Sequence, residues 1–186
     1  MFSEEEIIKE CIKGNRKAEK HLYTKYNGLF FAICLRYTQS REEAEDVLIT
    51  GFTSIFESLP MYKKQGSFEG WMRRIIVNTA LEKYRSRNRL YMVEDIDMIP
   101  EPFVDPDNED YSGLDAGDLM EIIRMLPPKY RMVFNLFALE GYSHREISRM
   151  INISEGTSKS NLARARMILQ RRVEAYTGIK KKVLNG

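Results

Sequence analysis

With two cysteines and two histidines in 186 residues, the chain has little with which to hold a metal ion or a disulfide framework. Cys11 and Cys34 are too few and too far apart for either, and His21 and His144 add no ligand spacing. No metal and no cofactor are expected, and both thiols read as small buried apolar groups. Long apolar runs are absent too. The longest, Leu29 to Leu35, is far short of the roughly 20 residues that span a bilayer. The chain starts Met1-Phe2-Ser3-Glu4-Glu5-Glu6, acidic where a secretory signal carries positive charge, so a cytoplasmic protein without membrane insertion is expected. Glycine-rich phosphate loops, zinc spacings and nucleophile elbows are also missing. No catalytic residue stands out, and the chain is not expected to be an enzyme.

What the sequence does have is charge arranged in blocks. The net charge of +2 conceals an alternation along the chain. Residues 1–62 carry a net of −2, 63–89 a net of +6, 90–143 a net of −9 and 144–186 a net of +7. Two cationic blocks separated by an anionic one are the main organisational signal of the chain.

Helical periodicity dominates, and no run alternates convincingly as a strand does. Ser3 with Glu6, Ser40 with Glu43, and Ser143 with Glu146 each fit a capping box, marking helix starts near residues 4, 41 and 144. A helix over 16–38 places Leu22, Tyr26, Leu29, Ile33 and Tyr37 on one side. One over 41–58 aligns Ala44, Leu48, Phe52, Ile55 and Leu59. A third, over 68–87, aligns Phe68, Trp71 or Met72, Ile75 and Thr79. Such stripes can bury one another, so residues 1–89 read as one helical domain. Pro60 and Gly66 bracket a short polar loop containing Lys63 and Lys64.

Residues 90–117 contain no Lys, Arg or His, nine carboxylates and Pro100, Pro102 and Pro106. That composition suits a flexible acidic linker and not a packed core. As a calcium loop it fails, because Asp110 stands where glycine is needed and Ala116 where the bidentate glutamate is needed. Residues 118–177 form a second domain, with helices expected over 117–126, 128–139, 144–151 and 155–173, and 178–186 a basic tail. The fold expected is all-α: two small helical domains, a linker, and a helix-turn-helix in the C-terminal domain.

That helix-turn-helix is SHREISRMINISEGTSKSNLARARMIL, residues 143–169. Ile147 faces inward on the first helix, and Ser148 is small where two helices approach. Asn152 tolerates the left-handed backbone of the turn, Ile153 plugs the core and Ser154 can cap the second helix. Leu162, Ala165 and Leu169 share the apolar stripe of that helix, leaving Lys159, Ser160, Arg164 and Arg166 to point away. A helix that enters a major groove needs this division. An ordinary amphipathic helix with a solvated basic face shows it as well.

The first cationic block is FEGWMRRIIVNTALEKYRSRNR, residues 68–89. Its cations, Arg73, Arg74, Lys83 and Arg85 among them, are interleaved with Phe68 and Trp71, as suits single-stranded nucleic acid. The aromatics could equally pack in the core and the arginines solubilise a helix end. Composition alone does not choose.

Taken together, these segments resemble the conserved regions of extracytoplasmic-function (ECF) sigma factors. AEDVLITGFTSIF (44–56) is similar to the family's helix that docks on the polymerase β′ subunit, and FEGWMRRIIVN (68–78) to its promoter −10 reader. LPPKYR (126–131) and EGYSHREISRMINISEGTSKSNLARAR (140–166) resemble its −35 reader. The resemblance covers nearly the whole chain except the linker. It implies a subunit that directs core RNA polymerase to promoters and assists −10 opening, with the polymerase β′ and β subunits, promoter DNA and an anti-sigma factor as partners. Asp46, Ile49 and Phe52 would serve polymerase docking. Lys63, Lys64, Phe68, Arg73, Arg74, Asn78, Lys83 and Arg85 would serve the −10 element, with the loop over 60–67 capturing a flipped-out base. Ser158, Lys159, Ser160, Asn161, Arg164 and Arg166 would serve the −35 element. The chain departs from the family at Ile49, where glutamine is usual, at Phe56 for tryptophan, at Ser148 for alanine and at Ser158 for valine.

Two other readings compete. A helix-turn-helix regulator that binds duplex DNA without polymerase explains the C-terminal block but leaves residues 60–89 without a task. An enzyme acting on nucleic acid lacks a recognisable catalytic set.

Overall fold

Ser3 and Glu6 close the first helix reciprocally: Ser3 Oγ accepts from the Glu6 amide at 3.3 Å, and the Glu6 carboxylate accepts from the Ser3 amide at 2.8 Å. The computed structural model describes residues 3–90 and 116–184, with side chains described for 3–86 and 117–176. Every regular element among them is helical: α1 (Glu4–Ile12), α2 (Arg16–Tyr37), α3 (Arg41–Ser58), a 3-10 turn (Leu59–Met61), α4 (Phe68–Leu90), α5 (Ala116–Arg124), α6 (Pro128–Phe134), a π-helical turn (Asn135–Leu139), α7 (His144–Ile151) and α8 (Glu155–Leu184). The chain divides into two compact units, within residues 1–92 and 93–186. Most of the acidic stretch 90–117, including the calcium-loop pattern, lies outside the described residues.

In the first unit α2 packs against α1, α3 and α4, and α3 also packs on α4. The stripe expected on α3 is buried in full, from Ala44 through Leu48, Phe52 and Ile55 to Leu59. On α2 four members of the expected stripe, Leu22, Tyr26, Ile33 and Tyr37, are buried, and only Leu29 is not. Phe30 is fully buried, while Leu29 is 41% exposed. Both follow Tyr26 at helical spacing, and the aromatic ring takes the inner position, 5.6 Å from the Tyr26 ring and 5.8 Å from Phe52. On α4, Met72 and Ile76 take the innermost places, with Trp71 and Ile75 half-buried beside them. Gly51 lets the two helices meet, since a Cβ there would stand 2.5 Å from Ile76 Cδ1.

Ser40 caps α3 by accepting from the Glu43 amide at 3.1 Å, but the Glu43 carboxylate accepts from the Gln39 amide instead of Ser40. The expected capping box is therefore half formed. Both thiols are buried, and burial pushes Cys11 from 9.0 up to about 11 and Cys34 up to about 12. The folded state thus favours the protonated thiols, and the stability this contributes is lost as pH climbs from about 9 through those values. Native protein at pH 8 should react slowly with a thiol reagent, and both cysteines should label promptly once denaturant unfolds the chain; fast native labelling would contradict the burial.

In the second unit Ile122, Ile123, Leu126 and Tyr130 meet Ala165, Leu169 and Val173 in one apolar cluster. Pro128 begins α6 where no intrahelical amide is needed. Arg131, although buried, is satisfied by donating to the Arg124 carbonyl at 2.7 Å. The helix expected over 128–139 widens into the π turn, where the Glu140 amide donates to the Asn135 carbonyl at 3.0 Å, and Gly141 ends it at φ +76°. Helix α8 runs on to Leu184, beyond the expected end at 173, and the Tyr176 hydroxyl ties it to α5 by donating to Asp118 Oδ1 at 2.6 Å.

Candidate nucleic-acid interface

The turn between α7 and α8 is built by local bonds. Ser143 and Glu146 form a complete capping box at the start of α7. Asn152 takes the left-handed backbone, φ 56° and ψ 53°, and the Ile153 amide donates to the Ser148 carbonyl at 3.1 Å. Ser154 then caps α8 by accepting from the Thr157 amide at 2.9 Å. Ile147, Leu162 and Ala165 lock the two helices together from within.

This packing leaves Gly156, Lys159, Ser160, Ala163 and Arg166 exposed along α8, with Arg164 half-buried and donating to the Tyr130 hydroxyl at 3.3 Å. Small side chains in the middle with cations at the sides allow the helix backbone to approach a groove. Two residues assigned to this face leave it. Ser158 is fully buried, its Oγ 2.9 Å from His144 Nδ1, and Asn161 is buried as well. Neither can reach a groove from the core. Gly156, Thr157 and Ala163 on α8, and Arg145 and Arg149 on α7, are exposed nearby although sequence reasoning passed over them. The four-residue spacing of the two arginines was the available signal.

In the first unit Arg74, Asn78 and Arg85 are exposed on α4 at spacings of four and seven, hence on one face, with Arg73 half-buried. Phe68, assigned to the same site, is buried and instead supports Tyr62 and Trp71, whose rings lie 4.9 Å apart. Those two half-buried rings, not Phe68, come nearest to an accessible aromatic surface. The loop between the 3-10 turn and α4 is held open by Lys64 at φ 55° and Gly66 at φ 88°. The Tyr62 hydroxyl donates to the Gly66 carbonyl at 3.3 Å, and Lys64 Nζ lies 2.6 Å from Glu5 Oε1. That hydrogen bond holds the Glu5 carboxyl below its usual range and raises Lys64. Lys63 is exposed in the same loop.

On α3, Asp46 is exposed and Ile49 stands 61% exposed. Ile49 rims a groove of about 430 Å³ that Tyr23 and Phe31 of α2 and Leu48 also line. Phe52 is only 3% exposed, packed 4.7 Å from Tyr23, so it supports this face from below without presenting itself. Lys83 lies half a helical turn away from Arg74 and stands 3.9 Å from Asp46, which places it with α3 and not with the α4 cations.

Comparison with known proteins identifies the family. Residues 22–90 match the family model for sigma-70 region 2, and residues 116–169 match that for sigma-70 region 4. The chain is 31% identical over 143 residues to the ECF RNA polymerase sigma factor SigE of Mycolicibacterium smegmatis, covering 75% of this chain and 55% of the relative. It is 25% identical over 183 residues to the ECF RNA polymerase sigma-E factor of Haemophilus influenzae, covering 93% and 96%. The chain belongs to the sigma-70 family, in its ECF group.

The same helical fold is seen in the sigma factor RpoE of Bartonella quintana, solved with the anti-sigma factor NepR, at a TM-score of 0.51 and 22% identity over 83% of this chain and 96% of that one. In this sigma factor the region 2 match spans α3, α4 and most of α2, and the region 4 match spans α5 through the first half of α8. Sigma factors are transcription initiation factors that direct RNA polymerase to promoters, not catalysts. A regulator that works without polymerase would need no region 2, so that reading is not favoured. Among the described residues, no group of His, Cys, Asp and Glu could hold a metal, and no helix is long and apolar enough to cross a membrane.

Proposed function

We propose that each cationic face of this sigma factor takes one promoter element. On this reading residues 1–89 serve polymerase docking and the −10 element, 118–177 serve the −35 element, 90–117 form the tether and 178–186 a basic tail. Arg74, Asn78 and Arg85 meet the opened −10 strand, helped by Lys63, Lys64 and the Tyr62–Trp71 pair. Lys159, Ser160, Arg164 and Arg166 meet the −35 duplex. Asp46 and Ile49 dock on core polymerase, and Lys83 joins them there. The 25 residues between α4 and α5, at ~3.3 Å each, could reach at most ~80 Å, enough for elements about two turns of duplex apart. The protein works in the cytoplasm, leaves all covalent chemistry to the polymerase, and is bound by an anti-sigma factor, as a sigma factor of the same fold is by NepR.

The observation that carries this reading is the exposure of Arg74, Asn78 and Arg85 along one face of α4, alongside a second cationic helix in the other unit. Anisotropy titrations of holoenzyme against a pre-melted −10 strand test it. Arg74→Ala with Arg85→Ala should lower the slope of log affinity against log salt by about 1.4, at about 0.7 for each phosphate no longer neutralised. Lys159→Ala should lower the slope on −35 duplex by about 0.9. Unchanged slopes would place these cations away from DNA.

A further inference from the structure

Behind the α8 face lies a stack of three side chains from three elements. The Arg166 guanidinium carbon sits 5.9 Å from the centroid of the Phe137 ring. On the same ring the His144 imidazole is stacked, with centroids 4.7 Å apart and planes 20° from parallel. His144 is in turn pinned by the 2.9 Å contact between its Nδ1 and the Oγ of fully buried Ser158.

The geometry points to Phe137 as a positioning residue that presents Arg166 to a DNA phosphate. An exposed arginine on its own samples many rotamers, and a guanidinium resting on a ring has fewer to lose when it binds. At 5.9 Å the guanidinium lies within cation–π range of the ring, an attraction that favours rotamers keeping the cation beside Phe137 on the exposed side of α8. Arg166 lies 11 residues past the start of α8, about 16 Å along the helix at 1.5 Å per residue. In a groove-inserted helix the first turns meet base edges, so a residue this far along meets the backbone. Phe137 belongs to the π turn, where the Tyr142 amide donates to the Leu136 carbonyl at 2.9 Å. Ser158 lies on the inward stripe of α8 with Leu162, Ala165 and Leu169, and there its hydroxyl partners His144. The polar pair holds α7 to α8 and keeps the platform in place.

This inference rests on the assignment of α8 to the −35 duplex, and the experiment separates the two. Binding of holoenzyme to a −35 duplex is measured by anisotropy against salt for wild type, Arg166→Ala, Phe137→Leu and the double variant. Arg166→Ala should weaken binding and lower the salt slope by about 0.9. Phe137→Leu should weaken binding about two- to fivefold in the wild-type background and leave the Arg166→Ala background unchanged. Phe137→Tyr keeps the ring and should retain wild-type affinity. Arg166→Lys, an exposed change that cannot unfold the core, keeps the charge but not the planar fork and should bind more weakly than wild type. If Phe137→Leu costs as much in the Arg166→Ala background, the ring acts only as packing and the proposal is overturned while the α8 assignment stands. If Arg166→Ala leaves affinity and slope unchanged, the assignment of Arg166 to DNA fails and the platform falls with it.

Discussion

Replacing Ile49 with lysine should weaken capture of core polymerase by at least about tenfold while leaving the helical fold intact. The side chain is 61% exposed, an unusual position for isoleucine, between exposed Asp46 and Thr50 on α3. It rims the groove lined by Tyr23, Phe31 and Leu48. Full burial of such a side chain is worth roughly 1.5–3 kcal/mol, and each 1.4 kcal/mol is tenfold in affinity. Lysine forfeits that burial and adds a charge that must lose water at the contact. Since Ile49 contributes little to the interior, circular dichroism and thermal melting should not change. The measurement is affinity of labelled variant for core polymerase. Unchanged affinity would mean that α3 does not dock through this face.

Phe30→Ala should cost about 3–5 kcal/mol, as deleting a fully buried aromatic does, because a cavity opens between α2 and α3 that cannot collapse. Small domains hold only about 5–15 kcal/mol in total, so the substitution should remove a large share of the first unit's stability and lower its denaturation midpoint markedly. Leu29→Ala, one residue earlier and 41% exposed, should fall within about 1 kcal/mol of wild type. Urea denaturation of the pair is a direct reading of which of the two neighbours faces the core. Equal costs at both positions would contradict a buried Phe30 beside an exposed Leu29.

That contrast also shows how far the sequence was legible. Helix starts at Ser3, Ser40 and Ser143 and the turn at Asn152 were readable because capping and left-handed backbone depend on neighbours in the chain. The α3 stripe was readable because its apolar positions Ala44, Leu48, Phe52, Ile55 and Leu59 repeat at three- and four-residue steps along the whole helix. On α2 and α4, adjacent apolar pairs (Leu29 and Phe30, Ile75 and Ile76) fit equally well, and tertiary packing alone chose between them. The same 100° per residue explains why Lys83 belongs with Asp46 and not with Arg74.

Site residues were legible by type more than by orientation. Phe52, Phe68, Ser158 and Asn161 come from segments that resemble functional motifs, yet all four point into the core. A motif holds the residues that shape a surface together with those that touch a partner, and burial is what separates them. Ser158 reads as a surface hydroxyl until His144, 14 residues away, is seen to satisfy it. The π turn that carries Phe137 has no sequence signature of its own, so the Phe137–Arg166 contact is set by tertiary packing alone.

Run-off transcription with purified core polymerase, this chain and promoter fragments from its own genome tests the central claim most directly, with 5′ ends of the RNA mapped at nucleotide resolution. Adding the chain should create new start sites, each lying downstream of a shared pair of sequence elements, that core alone does not use. A pattern of starts that is the same with and without the chain would contradict its role as a promoter-directing subunit.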